Sequence, residues 1–135
     1  MRLCIGALLV CCVTAATAAE ITIGMASVDD GKPNRYDGAS FNGKISTGER
    51  FTDGMRVAHR TLPLGSCVDV SIVGRGAQIY KAKIDDRGPC GTEICRKNSP
   101  WLLNRLIDLK PQLAAAIGCD GLCRVAFWPA PCSGN

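Results

Sequence analysis

The sequence predicts a mainly β domain that folds into a small barrel with one or two short helices. Glycine, asparagine and aspartate recur between short extended stretches, a spacing that is typical of strands joined by turns. Apolar residues repeat with a helical period only after about residue 100. A length of 135 residues suits one compact domain of this kind and leaves little room for a second.

The first 19 residues are predicted to be a secretory signal peptide, followed by one domain over residues 20–135. A positive start precedes a run over residues 5–16 of mainly apolar residues, and small residues lead to a cleavage site near Ala18 or Ala19. The run is too short to span a bilayer. Lipidation is a weaker rival, because the residues before the cysteines of this run are not small. We therefore expect an exported protein of the periplasm or the extracellular cell wall.

Six cysteines follow the signal peptide, and we expect three disulfides because an exported domain meets an oxidising compartment. The rival interpretation is a zinc site, since two cysteine pairs have spacings that resemble those of metal ligands. Among fifteen possible pairings we favour two local closures and one that ties the end of the chain back. The favoured pairs are Cys90 with Cys95, Cys119 with Cys123, and Cys67 with Cys132. We expect no metal and no cofactor.

The charge of the chain argues against nucleic acid as a partner. Lysine and arginine total 16 against 12 aspartate and glutamate, a net charge of +4. Nucleic-acid-binding domains usually carry a concentrated basic stripe, and this excess is too small to indicate one. An anionic wall polymer would fit it, but ordinary solubility explains it better. We expect a monomer without a membrane span once the signal is removed.

Four stretches have the composition of strands, and two have the start signals of helices. The strands are predicted over residues 21–27, 67–73, 77–86 and 123–128. Short helices are predicted after Ser99-Pro100 and after Lys110-Pro111, because proline is favoured in the first helical turn. Gly118 would end the second helix. A long irregular loop is predicted over residues 29–54, and such a loop in a compact domain is usually functional or disordered.

The strand over residues 77–86 carries two adjacent carboxylates that alternation assigns to different faces. Asp85 falls on the face with Lys81 and Lys83, where a solvated ion pair would be its natural role. Asp86 ends the more apolar face, after Ile84. The two aspartates are therefore not expected to be equivalent.

Asp86 is the best candidate for a general acid on these grounds. Cleavage of a glycosidic bond needs an acid that protonates the leaving oxygen, and a nonpolar setting or a neighbouring like charge raises the pKa of a carboxyl toward that use. The alternative is a turn-forming aspartate ahead of Gly88-Pro89, and the pattern alone leaves both open. Serine hydrolysis is not indicated, because no serine has a nucleophile-elbow context.

Five motifs together resemble the RlpA-like domain in order and approximate spacing, over about residues 24–125. They are Gly24-Met25-Ala26-Ser27, Thr47-Gly48-Glu49-Arg50-Phe51, Ala58-His59-Arg60-Thr61-Leu62-Pro63-Leu64-Gly65, Asp86-Arg87-Gly88-Pro89 and Arg105-Leu106-Ile107-Asp108-Leu109. The resemblance implies a six-stranded double-psi β-barrel related to expansin and barwin domains. It also implies a lyase: a lytic transglycosylase that acts on peptidoglycan.

The resemblance also implies which residues act. The family's catalytic aspartate falls on Asp86, its functional histidine on His59, and the glutamate of its Ser-Gly-Glu motif on Glu49. In a lytic transglycosylase an acid protonates the oxygen between N-acetylmuramic acid and N-acetylglucosamine, and the muramic 6-hydroxyl then closes on C1 to leave a 1,6-anhydro end. One carboxyl can serve as acid and then as base. For His59 the alternative is a structural hydrogen bond, and for Glu49 a surface acid.

Three further residues are expected to contact the glycan: Tyr36, Arg87 and Thr61. Two local departures from the family pattern are visible. The family usually follows Ala-Ser with Trp-Tyr-Gly, whereas here the chain continues Val28-Asp29-Asp30. A cysteine-bearing segment over residues 90–104 is inserted, which would either cover the glycan groove or brace it. The residues after the barrel match no peptidoglycan-binding SPOR module, so septal targeting is not expected.

Two other functions remain open at this point. The runner-up is a non-catalytic, expansin-like protein that binds glycan or loosens the wall with the same barrel. A third is a disulfide-stabilised secreted effector, for which no particular residue argues. Retention of Asp86, His59 and Glu49 together favours the enzyme, because a pure binder does not need a buried acid.

Overall fold

The computed structural model describes residues 18–31, 45–76 and 78–133. The predicted signal peptide, except for its last two residues, lies outside the described residues, as does Tyr36. The domain boundary at residue 20 stays a prediction. No helix within the described ranges is both long enough and apolar enough to cross a membrane.

Six strands and three short helices make up the described fold. The strands are β1 (Thr22–Val28), β2 (Arg56–His59), β3 (Cys67–Ile72), β4 (Tyr80–Asp86), β5 (Arg105–Leu109) and β6 (Leu122–Ala130). The helices are α1 (Glu93–Asn98), a 3-10 helix (Pro100–Asn104) and α2 (Pro111–Ile117).

The six strands close into a barrel in the order β1-β5-β2-β4-β3-β6. Two pairs are parallel, β1 with β5 and β2 with β4, and the other four are antiparallel. Fully buried aliphatic side chains from these strands fill the interior, among them Val57, Ile84, Ile107 and Val125. The predicted fold class, a mainly β six-stranded double-psi barrel with short helices and disulfides, is confirmed.

The four predicted strands are present with slightly different ends, and two more strands were not predicted as strands. These are β2 and β5, which have four and five residues. Runs this short carry too few residues to show a period. Both predicted helices are present. The additional helix α1 is capped by Thr92, whose Oγ1 accepts a hydrogen bond from the Cys95 amide at 3.1 Å.

A bulge in β4 changes which aspartate faces which neighbour. Val57 of β2 pairs with Ile84, but the next residue, Ala58, pairs with Asp86, so Asp85 is skipped. The prediction of a solvated Asp85 is wrong. This residue is buried, its Oδ2 lies 3.2 Å from the Arg56 guanidinium, and its Oδ1 has no hydrogen-bond partner among the described residues. Burial raises the pKa of Asp85, and the hydrogen bond from Arg56 opposes this.

Three disulfides brace the barrel, in the pairing that the sequence analysis favoured. Two are local: Cys90–Cys95 spans the start of α1, and Cys119–Cys123 joins the end of α2 to β6. The third, Cys67–Cys132, links the segment after β6 to the first residue of β3 across 65 positions of sequence. The disulfide interpretation is therefore confirmed over the zinc-site alternative.

Candidate active site

Asp86 lies at the end of β4 and is held by hydrogen-bond donors from two directions. Its Oδ1 accepts from the backbone amides of Ser46 and Arg87, each at 2.7 Å. Its Oδ2 lies 3.8 Å from Nζ of Lys110. The residue is buried, as expected, but its surroundings are polar rather than nonpolar. The expected nonpolar setting is therefore wrong.

Lys110 connects Asp86 to a second carboxylate. Its Nζ lies 3.1 Å from Oδ2 of Asp29, the residue that follows β1 by one position. It also lies 3.9 Å from the centre of the Phe51 ring, which is within the range of a cation–π contact. The ammonium is thus enclosed by two acids and an aromatic face.

Asp108 of β5 is a second candidate acid that the sequence analysis did not single out. Ser27 and Ala58 pair with it from the two neighbouring strands, and the Ser27 hydroxyl donates a hydrogen bond to its Oδ1. Burial, reinforced by the Asp29 charge, raises the pKa of Asp108 to about 7, although Ser27 and Lys110 oppose the shift. A carboxyl with this pKa holds a proton in part of the molecules at neutral pH.

Asp86 and Asp108 flank the same residue of β2. Ala58 pairs with Asp86 on one side and with Asp108 on the other. Neighbouring strands are about 4.8 Å apart, so the two aspartate backbones lie roughly 10 Å apart. A Cβ on Gly88 would lie 3.0 Å from Oδ2 of Asp108 and 3.5 Å from Cβ of Ala58. The Asp-Arg-Gly-Pro segment therefore runs past both Ala58 and Asp108, and its glycine leaves them room.

His59 ends β2, and its imidazole organises the following turn. Its Nδ1 accepts hydrogen bonds from the amides of Thr61 at 3.1 Å and Leu62 at 3.0 Å. The neutral ring therefore carries its proton on Nε2. The ring makes an edge contact with Phe127, with 5.7 Å between centroids. Burial, and then the charges of Arg60 and Arg87, lower the pKa of His59.

Arg87 reaches the same turn from the other side. One of its terminal guanidinium nitrogens donates to the backbone carbonyls of His59 at 3.0 Å and Leu62 at 2.6 Å. The Thr61 side chain is exposed, while its amide holds His59. Arg87 and the His59–Leu62 turn thus form one hydrogen-bonded unit next to Asp86.

Glu49 lies on a turn that also contacts Asp86. The Ile45 amide donates to the Glu49 carbonyl at 2.8 Å, which closes the turn and brings the Ser46 amide to Asp86. The buried Ile45 side chain anchors this turn, whereas Glu49 itself is exposed. The structure therefore places Glu49 on the same turn as an amide that holds Asp86.

The inserted segment over residues 90–104 is tied to the barrel by Arg60. The guanidinium donates to the carbonyl of Pro89 at 2.8 Å and to that of Leu103 at 3.0 Å. It also donates to the carbonyl of Arg105 at the start of β5. These bonds hold the segment against β2 and β5, which fits a brace. Trp101, at the start of the 3-10 helix, leaves about half of its side chain exposed.

An apolar cleft of about 380 Å³ has a lining that includes neither Asp86 nor Asp108. Leu62, Pro63 and Pro129 are among the residues that line it, and no acid does. Among the described residues, no group of three or more histidine, cysteine, aspartate or glutamate side chains is arranged to hold a metal ion.

The closed six-stranded barrel with its motif-bearing strand ends is that of an RlpA-like domain. No protein-family model matches the chain. The chain is similar to a probable endolytic peptidoglycan transglycosylase RlpA of Synechocystis, with 35% identity over 106 residues, and to one of Treponema pallidum, with 34% over 101 residues. The matches cover 77% and 70% of this chain but 27% of each relative. The chain thus matches about a quarter of the length of these relatives.

Proposed function

We propose that this protein is a peptidoglycan lytic transglycosylase that cleaves the glycan strand between N-acetylmuramic acid and N-acetylglucosamine. The observation that carries the proposal is the pairing of Asp86 and Asp108 with the same residue, Ala58. The two carboxyls differ in their surroundings: donors surround Asp86, whereas burial raises the pKa of Asp108 to about 7. Pairs of acids with divergent environments are typical of glycosidic bond cleavage.

In the proposed reaction Asp108 gives its proton to the glycosidic oxygen as the bond from this oxygen to C1 breaks. The Asp86 carboxylate stabilises the positive charge that develops at C1. The muramic 6-hydroxyl then forms a bond to C1 and loses its proton to Asp108, which restores the acid. The products are a 1,6-anhydro end and a new N-acetylglucosamine end. The sequence analysis gave the proton transfers to Asp86, and this stays the alternative assignment.

The other predicted residues take supporting roles in this proposal. His59, Arg87 and the Thr61 amide shape the turn beside Asp86, and Glu49 and Thr61 present exposed side chains to a glycan. The exported location predicted from the sequence is supported by the three disulfides, which form in oxidising compartments. Peptidoglycan as the substrate is supported by the names of the relatives.

Digestion of purified peptidoglycan, with and without stem peptides, followed by mass spectrometry tests this function. We expect 1,6-anhydro-muramic ends from the wild type and a loss of roughly 100-fold or more in Asp86→Asn and Asp108→Asn. Asp69→Asn is the matched control, because Asp69 is a partly exposed acid that pairs with Lys81 on the barrel surface. If the wild type and all variants bind peptidoglycan but form no new ends, this result would contradict the proposal and favour the expansin-like alternative.

A further inference from the structure

Among the fully buried residues that the structure describes, Lys110 has the largest side chain, with an exposed fraction of 0%. An ammonium group that loses its water is strongly destabilising unless other groups replace that solvation. Here the replacement comes from the Asp29 and Asp86 carboxylates and the Phe51 ring. A hydrophobic side chain would fill the same space without this requirement, so the charge at Lys110 calls for an explanation.

The backbone around Lys110 fixes where its side chain starts. Its amide donates to the carbonyl of Arg56 in β2 at 3.1 Å, and its carbonyl accepts from the Ala114 amide in α2 at 2.9 Å. The residue is thereby held between a barrel strand and the first turn of a helix. A side chain that starts from a fixed point and ends between two carboxylates has little freedom left.

The stronger ion pair of Lys110 is with a residue in the segment that departs from the RlpA-like pattern. Asp29 belongs to Val28-Asp29-Asp30, where the family usually has Trp-Tyr-Gly. Its amide donates to the Leu109 carbonyl at 2.9 Å, and its Oδ1 accepts from the Gly31 amide at 2.9 Å. Both bonds hold Asp29 beside Lys110. This departure therefore supplies the lysine with its counter-ion.

We propose that Lys110 is a positioning residue of the active site: its buried ammonium, anchored by Asp29 and Phe51, fixes Oδ2 of Asp86. The two backbone amides hold only Oδ1 of that carboxylate. The Lys110 ammonium is the third group that contacts this carboxylate, and its contact with Oδ2 sets the orientation of the carboxylate. This proposal rests on the proposed function for its effect on turnover, but the electrostatic link that it requires can be measured without turnover.

The same ammonium acts on Asp108. The charge of Lys110 lowers the pKa of that carboxyl and the charge of Asp29 raises it, while Arg105 on β5 also lowers it. Arg60, which directly follows β2, interacts with Asp108 as well: burial lowers the pKa of Arg60, and the Asp108 charge opposes this. Removal of the Lys110 charge should therefore raise the pKa of Asp108, and removal of the Asp29 charge should lower it. A lysine that merely filled space would produce neither shift.

The test compares Lys110→Met, Asp29→Asn and the double variant with the wild type. Lys81→Met is the matched control, because it removes a lysine of β4 whose ion pair is with Asp69, at 2.9 Å, and not with either acid of the site. Anhydro-end formation is measured against pH to give kcat and KM, and the Asp108 carboxyl is titrated by carbon-13 NMR. Circular dichroism verifies that each variant is folded.

For Lys110→Met we expect kcat to fall roughly 10- to 100-fold with KM changed by less than about twofold, because a misplaced catalytic group affects turnover most. The midpoint of Asp108 should move up by about one unit in this variant and down in Asp29→Asn. Lys81→Met should match the wild type. A folded Lys110→Met protein with unchanged kcat and unchanged Asp108 titration would overturn the proposal.

Two further outcomes remain decisive. If Lys110→Met does not fold, Asp29→Asn decides, because an unaltered Asp108 midpoint in that variant would overturn the proposal. In the double variant the two opposite shifts should largely cancel. If the wild type forms no anhydro ends, the proposed function fails. The NMR titration of Asp108 is then the only test of the electrostatic role of Lys110. Shifts in the two expected directions would support its role in setting the charges of the site, and their absence would refute it.

Discussion

The Ser27 hydroxyl on β1 donates a hydrogen bond to Oδ1 of Asp108 on β5, and the two residues are direct partners in the parallel strand pair. They are 81 positions apart in the sequence, so the barrel closure itself brings them together. The bond fixes a carboxyl whose pKa burial raises to about 7. An acid with that pKa and a fixed orientation is suited to proton transfer near neutral pH.

Replacement of Asp108 by asparagine should change the pH dependence of stability. The pKa of Asp108 rises from 3.8 to about 7 on folding, so between these values the folded state keeps a proton that the unfolded state releases. The wild type therefore loses this contribution as pH rises from about 4 to about 7, and Asp108→Asn does not. At pH 8 the variant should be more stable by on the order of 2–4 kcal/mol. Urea unfolding at several pH values measures the difference.

The control for that measurement is Asp69→Asn, which alters a partly exposed carboxylate on β3. The free energy of unfolding of this variant should differ little from that of the wild type between pH 4 and pH 8, because a surface ion pair contributes about 1 kcal/mol or less. A stability difference for Asp108→Asn that stays constant over the same interval would show that the Asp108 carboxyl titrates normally.

His59 should remain neutral in the folded protein at pH values where a free histidine becomes charged. Burial and two nearby arginines lower its pKa from 6.5. Its contribution to stability is thus fully present above pH 6.5 and is lost as pH falls through the folded-state pKa. NMR of the imidazole nitrogens should show a lowered midpoint and the Nε2–H tautomer. A midpoint at or above 6.5, or a proton on Nδ1, is the opposite result.

The long-range disulfide should stabilise the protein more than a local one. Cys67–Cys132 closes a loop of 65 positions and Cys119–Cys123 one of 4. From loop-closure entropy we expect a loss of about 4 kcal/mol when the first pair is changed to alanine and about 2 kcal/mol for the second. Denaturant unfolding of the two double variants gives both values. Equal losses would contradict the loop-entropy explanation.

The fold class and four of the strands were predictable because their signals are local. The alternation in β4 and the proline and glycine at the two ends of α2 involve residues that are close together in the sequence. The strands β2 and β5 carry no such signal, and their positions depend on parallel pairing with β4 and β1, which are distant in the sequence. Parallel pairing needs a crossover, so short-range patterns do not reveal it.

The candidate site was predictable only in part, for the same physical reason. The motif resemblance found Asp86, but strict alternation misjudged Asp85 because a bulge at that residue interrupts the pairing. Asp108 had one available signal, a carboxyl between the apolar Ile107 and Leu109. Its raised pKa, however, depends on burial and on partners from another strand. The buried state of Lys110 is equally a tertiary property, since the sequence shows only a lysine before a proline.

Digestion of peptidoglycan in water labelled with the heavy oxygen isotope tests the claim that the protein cleaves glycan strands by transglycosylation. The internal 6-hydroxyl, not water, attacks C1 in the proposed reaction. We therefore predict 1,6-anhydro-muramic ends without the label, formed by the wild type and lost in Asp86→Asn. Reducing muramic ends that carry the label would identify a hydrolase, and the absence of any new ends would identify a binding protein; either result contradicts the claim.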